Sequence, residues 1–365
     1  MKTVANSKKK EKIFLALSGG VDSSVSALLL KNQGYDVTGV FMKNWSGDDY
    51  GIQKDCPWEK DQADAMDVCK KLDIPFMTFN FEKIYRTTVM DYFFDEIKAG
   101  RTPNPDVMCN KEIKFGVFFS NALEKGADLI ATGHYARIKK IDEHYFLRKA
   151  KDQNKDQSYF LCNVTEKILE KTLFPVGNLL KTEVRQIAKA NNLPVANKPD
   201  SQGICFIGEI NVGEFLRANI KVHKGEIVDI DTNEVVGMHD GIEFYTIGQR
   251  EGLKIGGLSD PYYVVKKDKS NNVLFVAKGS DNKELFSSRV HFENAHWINE
   301  EAEIEKIGSE NLEASIRYRQ KPAGGKLDLK GNIFEFDKPQ RAVAEGQNIV
   351  FYSKDICFGG AIITN

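Results

Sequence analysis

The chain has 365 residues, 41% of them apolar and 28% charged, and its 51 basic side chains almost balance 52 acidic ones. That length exceeds what one hydrophobic core sustains, so about two or three domains are expected, and the near-zero net charge excludes a generic polyanion binder. No run of about eighteen apolar residues occurs, and the charged N-terminus MKTVANSKKKEK has no apolar stretch behind it, which predicts a cytoplasmic protein with neither a signal peptide nor a membrane span.

The first half alternates short apolar strands with helical stretches. KIFLAL (12–17), DVTGVFMKN (36–44), IPFMTFNF (74–81) and DLIATGHYA (128–136) are strand-sized runs rich in β-branched and aromatic residues. Helices are expected over VSALLLKNQ, closed by Gly34, around DQADAMDVCKKL (61–72), and over MDYFFDEIKAG, closed by Gly100. Strand and helix in strict alternation imply an α/β fold with a parallel sheet, whose ligands bind outside the carboxyl ends of the strands. From about residue 215 the texture changes to short alternating runs separated by Asp, Asn and Gly turns, such as KGEIVDI, YYVVKKD, NVLFVAKG, LEASIRYRQ and NIVFYSK. These predict all-β structure in small barrels, with a boundary near 213 and a softer one near 282.

LALSGGVDSSVSALLL joins the first strand directly to the first helix. Gly19 and Gly20 allow a tight turn that brings backbone N–H groups toward a ligand, and the helix adds its positive N-terminal end, which together make an anion site. Ser18, Ser23 and Ser24 supply hydroxyls, while Asp22 either holds a metal ion or caps the helix. A plain glycine turn with an Asp/Ser cap has the same composition; the flanking strand and helix favour phosphate binding. The loop has no lysine of the Walker A kind, and S-G-G-x-D-S resembles instead the PP-loop of the ATP pyrophosphatases, which split ATP between its α- and β-phosphates.

Six cysteines, Cys56, Cys69, Cys109, Cys162, Cys205 and Cys357, contain no C-x-x-C pair, which argues against a zinc ribbon and a thioredoxin-type site. In a reducing compartment any disulfide among them would be transient and catalytic. Cys109 follows two prolines and an aspartate in TPNPDVMCNKEIKF, and Cys205 lies in PDSQGICFIG. Both sit at expected element junctions, whereas Cys69 falls on an apolar helical face and is simplest as core. A carbonyl activated by ATP and then attacked by a soft nucleophile needs a sulfur carrier and a resolving thiol, so the pair points to sulfur transfer.

The motifs S-G-G-V-D-S-S, F-M-K-N-W, A-G-R-T-P-N-P-D-x-x-C-N-K-E-I-K-F, A-T-G-H-Y-A-R, K-D-Q-S-Y-F-L, F-P-V-G, D-S-x-G-I-C-F-I-G, Y-T-I-G-Q-R-x-G-L and F-G-G together resemble the bacterial tRNA-specific 2-thiouridylases and their mitochondrial relatives, from about residue 12 to the C-terminus. The resemblance implies an adenine nucleotide α-hydrolase-like (Rossmann-like) parallel-sheet domain over 1–212, a small central β-rich domain over 213–281 and a C-terminal β-barrel that binds tRNA over 282–365. It implies adenylation of the wobble uridine at its C2 oxygen by ATP and Mg²⁺, with release of pyrophosphate. Cys205 resembles the residue that receives a persulfide from an upstream sulfur-relay or desulfurase protein. Cys109 resembles the partner that helps deliver the sulfur and closes a transient disulfide with Cys205. Asp106 then corresponds to an acid/base at the base, with Asn104 and Pro105 lining a pocket for the uridine flipped from its single-stranded anticodon loop.

By the same resemblance Ala16, Leu17, Ser18, Gly19, Gly20, Val21, Asp22 and Ser23 cradle the phosphates, Met42 contacts adenine and Gly133 gives the nucleotide room. His134, Lys155, Asp156, Gln157, Arg317, Tyr318 and Gln347 correspond to tRNA contacts. Some of these have other readings. His134 is as readily a structural hydrogen-bonder. The surplus of seven Lys/Arg over three acids between Arg137 and Lys155 is either a phosphate-contacting edge or a solvated face. Lys111 and Lys114 either lower the Cys109 pKa, contact phosphate or are solvated. Rival activities are another PP-loop synthetase, which needs no cysteine pair, a tRNA-binding protein with a decayed site, and an iron–sulfur cluster on Asp106, Cys109 and Cys205 in place of a persulfide. The family suggests a monomer without a membrane partner.

Overall fold

The computed structural model describes residues 10–46, 57–200, 212–221, 223–256, 260–299 and 312–364. In chain order the first layer comprises β1 (Lys12–Ala16), α1 (Val21–Asn32), β2 (Asp36–Lys43), α2 (Pro57–Leu72), β3 (Phe76–Asn80), α3 (Glu82–Tyr85), α4 (Asp91–Lys98), α5 (Pro105–Cys109), α6 (Phe118–Glu124), β4 (Leu129–Thr132), a hairpin of β5 (Ala136–Ile141) and β6 (His144–Lys149), α7 (Glu166–Glu170), β7 (Thr172–Leu173) and α8 (Lys181–Ala190). The expected parallel sheet is present, in the order β3-β2-β1-β4-β7. Its central strands are buried along nearly their whole length, as helices on both faces require. The chain runs β1 to β3 in one direction and returns to place β4 on the other side of β1, so the switch point of the sheet lies at the carboxyl ends of β1 and β4.

Three local expectations are corrected. The run 128–136 is not one strand: β4 ends at Thr132 and the chain restarts as β5 at Ala136. The segment from Arg137 to Lys155, read as a phosphate-contacting edge or a solvated face, is built on a β-hairpin over 136–149, with a two-residue Asp142–Glu143 turn in which Asp142 takes φ 52°, a left-handed conformation that Asp tolerates. The all-β texture placed from about residue 215 begins later, because α9 (Val212–Asn219) sets Phe215 against Trp45 and Phe94, with ring centroids 6.2 and 5.5 Å apart. Cys69 is core as expected, 2% exposed, and burial pushes its thiol up to about 11.

The central unit is a four-stranded sheet of β8 (Gly225–Asp229), β9 (Val235–His239), β10 (Tyr262–Asp268) and β11 (Val273–Lys278), ordered β10-β11-β8-β9. The last unit comprises β12 (Phe286–Trp297), β13 (Glu313–Ser315), β14 (Ala323–Asp328), β15 (Ile333–Arg341), β16 (Asn348–Ser353) and β17 (Ile356–Thr364). These pair in the order β12-β15-β14-β13-β16-β17, and β17 pairs back onto β12, which closes the expected barrel and leaves no free edge among its own strands. Phe334 and Phe351 fill its interior, both fully buried with ring centroids 5.8 Å apart.

The hairpin joins the first and last units. β6 adds to β17 through Ile356↔Arg148 and Cys357↔Leu147, and Asp355 at the β16–β17 turn is paired with both Arg137 and Arg148. Leu147, Val350, Tyr352 and Cys357 belong to the same buried cluster as Phe14, Phe79 and Phe118 of the α/β layer. A shared core predicts shared unfolding. Leu147→Ala, at a site with no exposed surface, should cost about 2–5 kcal/mol and shift a single calorimetric transition that contains both the α/β layer and the barrel. Two separated transitions, only one of them moved, would contradict a common core.

Candidate active site

The turn after β1 carries S-G-G-V-D-S. Gly19 takes φ 72°, and a Cβ there would lie 2.2 Å from the Asp61 carbonyl oxygen, so the residue must be glycine for both reasons. Ser18 N–H donates to Ser23 Oγ at 3.3 Å, and the Ser23 and Ser24 hydroxyls donate to Gly20 O at 3.1 and 2.7 Å. The loop is thus folded on itself before any ligand arrives, with Ala16, Leu17 and Val21 buried beneath it and Ser18 exposed at its tip. Gly133 directly follows β4. A Cβ there would meet Ser23 N at 2.7 Å, so its small size makes room for the start of α1. Met42 is 5% exposed at the end of β2 and is part of the core.

Asp22 does not cap α1, whose cap residue Gly20 makes no side-chain bond. Its carboxylate accepts from Lys181 Nζ at 2.7 Å and from the Tyr135 hydroxyl at 2.8 Å. Lys181 also pairs with Asp200 at 2.8 Å, and Asp200 further receives Lys155 at 2.6 Å and Arg185 at 2.5 Å. Burial would raise the Asp200 pKa, but the Lys155 and Lys181 hydrogen bonds outweigh it and hold the carboxyl well below the usual range. On the other side of the loop Lys198 donates to Gly19 O at 3.0 Å and pairs with Asp61 and Asp64 of α2. Burial works against its charge, yet those two carboxylates keep its pKa above the ordinary lysine value. Asp200 is the last described residue before 201–211; Cys205 and Cys56 lie outside the described residues.

Asp106 and Cys109 stand on α5. Asn104 accepts from Val107 N–H at 3.3 Å as the N-cap and Pro105 occupies the first turn, where its missing N–H costs nothing. The helix runs on into a π-helical segment, Asn110–Val117. The expected loop-to-helix junction falls at Asn104–Pro105; Cys109 lies a turn further in, where α5 runs on into the π-helical segment, and is fully buried, so its thiol meets a substrate only after neighbouring chain moves. The barrel holds the approach to this helix: Thr102 N–H donates to Glu345 O at 2.8 Å, and Gln347 Nε2 donates to Thr102 O at 2.8 Å and to Pro103 O at 3.3 Å. Gln347, expected as a tRNA contact, is therefore placed at the reactive helix.

The other expected tRNA contacts are also engaged inside the protein. Asp156 accepts from Ala150 N–H at 2.7 Å and from the Ser158 hydroxyl at 2.7 Å, and burial raises its pKa despite these bonds. Gln157 Oε1 accepts from Tyr135 N–H at 2.9 Å, which makes Lys155 and Gln157 supports of the network around Asp22. Tyr318 packs on Phe160 with ring centroids 4.2 Å apart, while Arg317 and Arg319 are exposed beside it. His134 is buried, with Nδ1 2.7 Å from Thr132 Oγ1 and Nε2 3.4 Å from Lys114 Nζ. Burial, and then the Lys114 charge, push its pKa well below 6.5, so the ring is neutral and accepts from the ammonium.

Sequence reasoning missed Lys181, Tyr135, Asp200, Lys198 and Asn110. One signal was available for the first: Lys181 opens α8, and a cation in a first helical turn opposes the helix dipole and so asks for an anionic partner. The His134 environment generates a pH prediction. A neutral buried histidine contributes in full above its unfolded pKa; as pH falls below about 6.5 the unfolded chain takes up the proton first, and stability is lost on the order of 1 kcal/mol per pH unit until the folded pKa is reached. Urea unfolding at about pH 7.5 and about pH 5.5 should show this loss in the wild type and a flatter dependence in His134→Asn; equal slopes would mean that the ring already titrates in the folded protein.

Comparison with known proteins places the chain. Residues 11–209 match the family described as "tRNA methyl transferase HUP domain", 213–278 its "PRC-barrel domain" and 287–363 the "Aminomethyltransferase beta-barrel domain". A protein of Francisella tularensis subsp. novicida named tRNA-specific 2-thiouridylase MnmA is 48% identical over 363 residues, covering 97% of this chain and 99% of its own. The Geobacillus kaustophilus protein named tRNA-specific 2-thiouridylase MnmA 1 is 49% identical over 360 residues, covering 97% and 96%. Among solved structures, the NMN synthetase of Francisella tularensis aligns over 53% of this chain and 67% of its own at 16% identity with a TM-score of 0.32, a likeness too slight to bear on fold or activity. With relatives aligned from end to end at 48% and 49% identity, the chain belongs to the tRNA-specific 2-thiouridylase family.

Proposed function

We propose that the protein converts the wobble uridine of tRNA to 2-thiouridine, using ATP and a cysteine persulfide. The observations that support this reading are the phosphate loop at the switch point of the sheet and, on the same chain, the Asp106–Cys109 helix, whose entry loop the barrel holds. The division at 1–212, 213–281 and 282–365 belongs to the same reading. No helix among the described residues is long and apolar enough to cross a membrane.

The uridine C2 oxygen attacks the α-phosphorus of ATP and pyrophosphate leaves. Residues 16–23 hold the phosphates with backbone N–H groups and the start of α1, and Lys181 is placed to exchange Asp22 for a phosphate oxygen. Asp22 is the carboxylate at the loop that would share Mg²⁺ with the phosphates, as Mg²⁺ sites with one or two carboxylates do; the ion, when bound, offsets polyphosphate charge. Met42 and Gly133 border the nucleotide, and Asn104, Pro105 and Asp106 receive the flipped base, with Asp106 moving its proton. The terminal sulfur of a Cys205 persulfide then attacks C2, and AMP leaves with the former uridine oxygen. Cys109 attacks the inner sulfur, so that the S–S bond to the transferred sulfur breaks, a Cys109–Cys205 disulfide forms, and sulfur stays on C2. An external thiol reduces the disulfide, and a sulfur-relay or desulfurase protein reloads Cys205. Phosphate contacts from His134, Lys155, Asp156, Gln157, Arg317, Tyr318 and Gln347 would position the tRNA while the pocket reads the base.

Methyl transfer to tRNA, which the wording of the matched family descriptions would suggest, leaves the phosphate loop and both cysteines without a task. The test is to incubate the protein with unmodified tRNA, ATP, Mg²⁺ and a persulfide donor, digest the tRNA and weigh its nucleosides. Wild type should yield 2-thiouridine with pyrophosphate release; Cys205→Ala and Cys109→Ser should lose at least about 100-fold of the thiolation and still release pyrophosphate. Thiolation that persists in both variants, or a tRNA that gains only a methyl group, would overturn the assignment.

A further inference from the structure

Asn110 follows Cys109 and is 3% exposed. Its Nδ2 donates to the Asp106 carbonyl oxygen at 2.9 Å, while its Oδ1 is buried and finds no hydrogen-bond partner among the described residues. The amide cannot turn round to relieve this, because Oδ1 would then face the Asp106 carbonyl, acceptor against acceptor. Asn44 and Asn299 also leave a buried amide oxygen unmatched; of the three, Asn110 alone directly follows the Asp106–Cys109 helix. The residue lies four positions after Asp106, on the same helical face one turn on, and directly after the thiol.

An orphaned acceptor selects a donor. In uracil the atom adjacent to the reacting C2, on the side away from the sugar, is N3, which carries a hydrogen. Cytosine presents a lone pair at that position, which a fixed acceptor repels. We propose that Asn110 Oδ1 accepts the N3–H of the target uracil and so selects uridine over bases without that hydrogen. This rests on the thiouridylase reading and deepens it. The bond would also raise electron density on O2, the atom that attacks ATP. A site built around a base N–H discriminates by leaving its own buried group unpaired when that hydrogen is missing.

The test compares two synthetic anticodon stem-loops, one with uridine and one with cytidine at the wobble position, in wild type, Asn110→Leu and Asn110→Ala, reading tRNA-dependent pyrophosphate release as kcat/KM. Wild type should prefer uridine by about 100-fold or more, and both variants should lose about 10- to 100-fold on uridine while the preference for it falls by about 10-fold or more. The Leu variant fills the same volume and the Ala variant leaves space, so melting curves separate a folding defect from a recognition defect in at least one of them. If either folded variant keeps the wild-type preference, or if the activity loss is equal on both substrates, Asn110 is only a structural amide and the proposal falls. If wild type releases no pyrophosphate with the uridine substrate, the underlying assignment of the activity falls with it, which is a different result from an unchanged ratio.

Discussion

The ammonium of Lys181, shared between Asp22 and Asp200, is the interaction around which the rest of the site is arranged. One carboxylate belongs to the phosphate loop, and the other stands five positions before Cys205 in the chain. Ion pairs with little exposed surface are weak evidence for stability, because desolvation offsets most of the attraction; what they supply is a fixed geometry. Here the geometry ties the loop after β1 to the segment that ends at Asp200. Tyr135, Lys155 and Gln157 hold the same network from the hairpin side, so residues resembling tRNA contacts are mechanically continuous with the nucleotide site.

A second constraint is the strand pairing between the hairpin and the barrel. A separate barrel on a linker would leave the entry to the Asp106–Cys109 helix unsupported, since only its far end is continued, by the π-helical segment Asn110–Val117. Instead β17 is extended by β6, the core continues across the boundary, and Gln347 and Glu345 hold the loop leading into α5. The carboxylate and the thiol are thereby set on a support whose position is determined by the whole molecule rather than by local sequence.

The strands of the parallel sheet were legible because their apolar runs are continuous and of strand length, and the phosphate loop because Gly19 meets two steric demands that only glycine satisfies. The barrel was legible as regular alternation. Long-range relations were not. Nothing in the local pattern of 136–149 says that the hairpin pairs with residues more than two hundred positions away, and the Lys/Arg surplus from Arg137 to Lys155 pointed to a phosphate-contacting edge rather than to a half-buried hairpin. The partners of Asp22 were hidden for the same reason, Lys181 being 159 positions distant. Gly133 and Gln347, picked out for ligands, also pack against Ser23 and grip Thr102, relations that the local sequence does not reveal. Cys109 was expected at a loop-to-helix junction; that junction falls at Asn104–Pro105, and the thiol lies one turn into the helix, buried.

The central claim is that uridine oxygen is first joined to AMP and then displaced by sulfur, and its most direct test follows that oxygen. A tRNA carrying oxygen-18 at C2 of the wobble uridine would be thiolated by the wild-type protein with unlabelled ATP, and the AMP weighed. The account predicts one heavy oxygen in the AMP phosphate for each thiouridine formed. Unlabelled AMP, with the heavy oxygen released to water or retained on the tRNA, would contradict it.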